Sequence, residues 1–241
     1  MKFKYVTLTD VGLKRSDNED SFGVFEVDGG LLVVVCDGLG GNKAGDIASK
    51  LAVQTIAKSF QDLADIEYLE RIKLSILAAN NKVIEESNKD FDRKGMATTA
   101  ETLFLKDDTA FWGHVGDSRI YYLKNNKLKQ LSKDHSLIQK LIDEGYLTLK
   151  EAENHPNKNI IMRALGDSEN VEVDVSKLKI NPAEFDKFFI CTDGVTTVIQ
   201  NDELEKILNN ENVHYISEVI ANLVEKRGAP DNYTFVIITG E

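Results

Sequence analysis

Cysteine and proline are scarce in this 241-residue sequence, with two of the first and three of the second. Two cysteines exclude a disulfide framework, and Cys36 and Cys191 each sit in an apolar run that suits a buried, reduced thiol. With three prolines and no Gly/Ser-rich or low-complexity tract, nothing marks a linker, so a single domain over residues 1–241 is expected. Basic charge is also short: 29 Lys and Arg stand against 40 Asp and Glu. A formal net charge of -11 argues against a nucleic-acid binder, because phosphate backbones reward clustered Lys and Arg. No run reaches membrane-spanning length, and the N-terminus MKFKYVTLTD lacks the apolar stretch of a signal peptide, so a cytoplasmic location away from membranes is expected.

What is present is a globular pattern. Short runs rich in Val, Ile, Phe and Tyr read as strands at 4–9, 22–27, 31–36, 100–105, 109–115, 119–123, 187–192 and 234–239. Lys106-Asp107-Asp108 and Asn125-Asn126 read as hairpin turns. Ile47, Leu51, Thr55, Ile56 and Phe60 share one helical face, as do Leu69, Ile72, Ile76, Ala79 and Val83. A third helix is expected from His214 to Lys226, with Ile216, Val219, Ile220, Leu223 and Val224 inward. Strands in groups with helices between the groups point to an α+β fold, two stacked antiparallel sheets with helices outside.

The acids carry the chemistry. Asp37 ends the run Leu31–Cys36, Asp193 ends Phe188–Thr192, and each is followed by a glycine, Gly38 or Gly194, that permits a sharp turn and close backbone approach. Asp20, Asp117 and Asp231 also fall at strand edges. Carboxylates gathered at strand ends repel one another unless a cation neutralises them, and an all-oxygen set suits Mg²⁺ or Mn²⁺. A zinc site is disfavoured, since His114, His135, His155 and His214 lack paired ligand spacing.

The motifs RSDNEDS (15–21), DGLGGNKAG (37–45), GMATT (95–99), HVGDSRIYYL (114–123), DHSLIQKLIDEGYLT (134–148), HPNKNIIMRALG (155–166), CTDGV (191–195) and APDNYTFVII (229–238) resemble, in order, those of bacterial metal-dependent protein phosphatases of the type 2C family. The resemblance implies a four-layer α-β-β-α sandwich and hydrolysis of phosphoserine and phosphothreonine esters. It implies two Mn²⁺ or Mg²⁺ ions, with Asp37 bridging both, the Gly38 carbonyl on one, and Asp193 and Asp231 on the other. Asp20 and Glu19 would hold water around the ions, Asp117 would help bind a third, weaker ion, and Arg15 would grip the substrate phosphate with its planar fork. Residues 136–166 would form a flap beside the centre, where His155 and Arg163 are candidates to touch substrate. Phosphorylated proteins, the targets of a serine/threonine kinase, would be the partners, and the chain is expected to act as a monomer.

Two departures stand out. Leu39 replaces the histidine that eukaryotic members carry as a proposed general acid, and Gly228-Ala229-Pro230 replaces the usual Gly-Gly before the final Asp-Asn, which would stiffen the loop presenting Asp231. Two other functions remain open: a phosphoprotein-binding module without activity, disfavoured because Asp37, Asp193 and Asp231 are all present, and a hydrolase of small phosphate esters.

Overall fold

The structure, a computed structural model, describes residues 3–40, 44–152, 155–181 and 187–240. Residues 41–43 of the DGLGGNKAG motif and 153–154 of the expected flap lie outside the described residues.

Strand β3 (Gly30–Cys36) explains the layering. A strand with one wet face alternates apolar and polar residues, whereas this one is buried throughout. Leu32, Val34 and Cys36 pack with Ile56 and Phe60 of α1 (Gly45–Asp62) and with Ile72 and Ile76 of α2 (Tyr68–Ser87). Their neighbours Leu31, Val33 and Val35 pack the other way, against Phe188 and Ile190 of β11 (Lys187–Cys191) and Val236 and Ile238 of β12 (Tyr233–Gly240). The far face of those two strands, with Phe189, Cys191, Phe235 and Ile237, meets α5 (Asp193–Thr196), α6 (Asn201–Leu208) and α7 (Val213–Lys226). The chain therefore stacks helices, sheet, sheet and helices, the α-β-β-α sandwich expected. Each fully buried aromatic such as Phe188 contributes roughly 1.5–3 kcal/mol. Cys36 and Cys191 are buried and unbridged, in different layers.

One five-stranded sheet runs β10-β7-β6-β3-β2, with β10 at Asp174–Lys179, β7 at Thr109–Val115, β6 at Ala100–Lys106 and β2 at Ser21–Val27. The other runs β1-β12-β11-β8-β9, with β1 at Phe3–Asp10, β8 at Arg119–Lys124 and β9 at Lys127–Gln130. The strand pairings are antiparallel, including the short pair of β4 (Gly38–Leu39) with β5 (Ala97–Thr98). The two expected hairpins form, and the positive φ of Asp107, Asn125 and Asn126 shows why Asp and Asn stand there.

Strands β9 and β10 escaped the sequence reading, because both are lysine-bearing sheet edges with half-exposed faces. On α1 the buried stripe is Ala48, Ala52, Val53, Ile56, Ala57 and Phe60, set slightly off the expected face. Ile47 and Leu51 are only half-buried, against Val83 and Met96, because small residues let α1 approach its neighbours closely.

Candidate metal centre

The acids converge where strands of the two sheets end. Asp37 leaves β3 with its backbone clamped: its N–H donates to Thr99 Oγ1 at 2.9 Å, while its carbonyl accepts from Thr98 Oγ1 at 2.8 Å and Thr99 N–H at 2.9 Å. Gly38 donates its N–H to the Glu19 carbonyl at 3.1 Å, so the 15–21 loop lies directly against the turn. A Cβ at Gly38 would come within 2.3 Å of the Gly45 carbonyl, and one at Gly194 within 1.9 Å of the Asn232 carbonyl. Both Asp-Gly motifs thus need glycine for close backbone approach.

Asp20 is buried, and Thr192 Oγ1 donates to its Oδ2 at 2.9 Å while accepting from Thr234 N–H at 2.9 Å. Asn232 ties the loop to the C-terminal turn: its Oδ1 accepts from Glu19 N–H at 2.9 Å and its Nδ2 donates to the Val11 and Asp17 carbonyls at 2.9 and 3.0 Å. Asp231 accepts from Arg15 Nη2 at 2.8 Å. Arg15 is half-exposed at the edge of the acidic group, in an ion pair that raises its pKa. Asp117 is buried in the turn between β7 and β8.

These carboxylates act on one another electrostatically. Burial raises Asp193 to about 6, with Asp231 adding repulsion. Burial raises Asp20 to about 7, helped by Asp193 and Asp231 against the hydrogen bonds from Thr234 and Thr192. Asp117 is pushed to about 8 by burial and by Asp193. Burial holds Asp37 well above the usual carboxylate range, with Asp20, Asp193, Asp117 and Asp231 all contributing. A divalent cation inverts this logic by favouring the ionised forms.

The donor set fits such a cation. Asp117 Oδ1 is buried without a hydrogen-bond partner among the described residues, an orphaned acceptor that a cation or its water shell satisfies. Among the described residues, no group of three or more Asp, Glu, His or Cys side chains is disposed to hold a metal ion as it stands. The acids supply oxygen donors only, the ligand chemistry that suits Mg²⁺ or Mn²⁺.

The sequence reading missed the groups that hold the acids. Thr98, Thr99 and Thr192 lie inside the quoted motifs, but a hydroxyl's role is invisible until its partner is placed. Also missed was a polar spine beneath Asp117. His114 is buried, bonded through Nδ1 to Glu101 and through Nε2 to the Lys133 carbonyl at 2.8 Å, and it stacks on His135 with centroids 4.3 Å apart. His135 accepts at Nδ1 from Gly116 N–H at 3.1 Å, and its backbone N–H donates to the Gly116 carbonyl at 2.7 Å. Arg119 grips Asp134 with Nε and Nη2, at 3.0 and 2.7 Å.

The segment after β9 carries α3 (Leu137–Asp143) and α4 (Leu149–Ala152), and it returns to Thr98 through backbone bonds from Leu165. Arg163 is engaged with Glu172 at 3.0 Å and Asp174 at 2.9 Å, while His155 Nδ1 accepts from Asn157 N–H at 3.2 Å. Neither residue lines the cleft beside the centre. That cleft, of about 580 Å³, has Asp117 and Asp193 in its lining and runs between α3–α4 and α5–α6. At the departing position near the C-terminus, Ala229 is buried with φ +32°, in the left-handed region that favours glycine.

The family model for protein phosphatase 2C matches residues 14–231, and the chain belongs to that family. It is a hydrolase, a serine/threonine protein phosphatase dependent on Mn²⁺ or Mg²⁺. The serine/threonine phosphatase stp of Listeria monocytogenes serotype 4b (strain F2365) is 34% identical over 236 residues, covering 95% of this chain and 93% of that protein. The Mycobacterium tuberculosis serine/threonine phosphatase PstP/Ppp superposes with a TM-score of 0.90 at 29% identity, covering 99% of each chain. The catalytic domain of PstP in complex with two manganese ions superposes with a TM-score of 0.86 at 28% identity, again covering 99% of each chain. No helix among the described residues is long and apolar enough to cross a membrane.

Proposed function

We propose that the chain removes phosphate from phosphoserine and phosphothreonine in proteins, using water activated at a binuclear Mn²⁺ or Mg²⁺ centre, and so reverses serine/threonine kinase signalling. The observation that carries this reading is the gathering of Asp20, Asp37, Asp117 and Asp193 with Asp231, mutually repelling and partly unpartnered.

When bound, the ions supply an activated water and steady the oxygens of an in-line displacement at phosphorus. Asp37, the Gly38 carbonyl, Asp193 and Asp231 would hold them, Asp20 and Glu19 would order water nearby, and Asp117 would serve a third, weaker ion. Thr98 and Thr99 fix the backbone of Asp37, and Thr192 fixes the carboxylate of Asp20. Arg15, at the rim, turns its fork toward the substrate phosphate and positions it for attack. Leu39 offers no proton, so the leaving hydroxyl is protonated from another source. We read residues 1–241 as one catalytic domain with a flap at about 136–166, acting as a monomer. The unbridged Cys36 and Cys191 favour the reducing cytoplasm.

Calorimetric titration with Mn²⁺ tests the assignment. Asp193→Ala is expected to weaken the core ions, whereas Asp117→Ala spares them and loses kcat on phosphopeptide. An Asp117→Ala enzyme with undiminished kcat would leave Asp117 a residue of the turn.

A further inference from the structure

The cleft beside the metal centre has more room than a phosphate group uses. Its volume of about 580 Å³ falls in the range of ligand sites that bury most of their occupant. The two walls differ. On the α3–α4 side stand Ile138, Ile142 and Leu149, and on the α5–α6 side Thr196, Gln200 and Asn201.

Leu149 is 75% exposed, a large apolar side chain left in water at the mouth of a cleft whose floor is acidic. The charges on the walls are largely committed. Arg119 is gripped by Asp134, and Gln130 donates to the same carboxylate at 2.8 Å. That leaves Lys158 and Asp202 as opposed single charges. The cleft thus offers an apolar patch of Ile138, Ile142 and Leu149 set among neutral amide and hydroxyl groups such as Ser136, Gln139, Thr196 and Gln200, which fits polypeptide: an apolar side chain against the patch, backbone against the polar groups. A small phosphate ester has nothing to place there. Arg15 is not among the lining residues, so a phosphate held by Arg15 leaves the cleft free for the attached chain.

We propose that this cleft is a subsite for the substrate polypeptide beside the phosphorylated residue, and that it selects an apolar side chain seated against Ile138, Ile142 and Leu149. The inference rests on the phosphatase reading above and deepens it. The contact is made equally before and during reaction, so it acts on KM more than on kcat.

The test uses the full chain with Mn²⁺, p-nitrophenyl phosphate, and phosphothreonine peptides carrying Leu, Gly or Asp at each of three positions on either side of the phosphothreonine. At one position Leu is expected to exceed Gly in kcat/KM by about tenfold, mainly through KM, as burial of an apolar side chain requires. Leu149→Asp is expected to bring that ratio near one, and Leu149→Met to keep it. Turnover of p-nitrophenyl phosphate and of every peptide without preference would overturn the subsite and leave the phosphatase reading standing. A preference undiminished in Leu149→Asp would overturn the placement on this wall. Failure to hydrolyse both p-nitrophenyl phosphate and the peptides would overturn the phosphatase reading and the subsite with it.

Discussion

Replacing Asp193 with asparagine separates a metal site from a structural cluster, because the two make opposite forecasts for stability. In the metal-free fold, burial and then Asp231 raise this carboxyl from 3.8 to about 6. Keeping it ionised above that pH costs on the order of 2–3 kcal/mol, at about 1.36 kcal/mol per pH unit, and its partial exposure favours the lower end. Asparagine keeps the shape and removes the charge. In EDTA at pH 7.5, Asp193→Asn is therefore expected to melt about 4–8 °C above the unsubstituted chain, taking about 2 kcal/mol and the response of a domain of this size. The sign follows from the raised pKa: the penalty is full above about 6, shrinks as pH falls through 6, and is gone near 3.8. With Mn²⁺ at a hundred times its Kd the unsubstituted chain gains about 2.7 kcal/mol, and the variant much less, so the order of melting reverses. Differential scanning calorimetry with and without Mn²⁺ reads both arms. A variant that melts lower in EDTA, or gains equally from Mn²⁺, would refute the reasoning.

Two further outcomes follow from the groups around the acids. Thr192→Val removes the hydroxyl that serves both Asp20 and the buried Thr234 N–H, so urea unfolding is expected to show a loss of about 1–3 kcal/mol; an unchanged midpoint would mean the hydroxyl holds neither. Glu101, raised by burial from 4.5 to about 7, and His114, raised by Glu101 against its own burial, both bind protons more tightly folded than unfolded. Their contribution is full below about pH 4.5 and lost as pH rises through about 7, so Glu101→Gln is expected to flatten the fall in stability across that interval, measured by urea midpoints at each pH.

The sequence made the sandwich legible where burial on both faces wrote itself as an unbroken apolar run, as in Leu31–Cys36, and where a turn demanded Asp or Asn, as at Asn125-Asn126. It hid β9 and β10, whose half-exposed lysines look like loop. On α1 it favoured Ile47 and Leu51 over Ala48 and Ala52, because size draws attention and close packing rewards its absence. The places of Asp37 and Asp193 directly after β3 and β11 were readable from the apolar runs before them. Thr192, and the Glu101, His114 and His135 spine, were not, since a side chain bonded across 42 residues or across two strands leaves no local pattern. Arg15, expected to meet phosphate, is paired with Asp231, a partner that no local pattern announces.

The most direct test of the central claim is turnover of a phosphothreonine peptide by the full chain with Mn²⁺, with Mg²⁺ and with EDTA, after exhaustive chelation. A site made of mutually repelling carboxylates predicts hydrolysis with either ion and none in EDTA. Full activity in the chelated protein would contradict it.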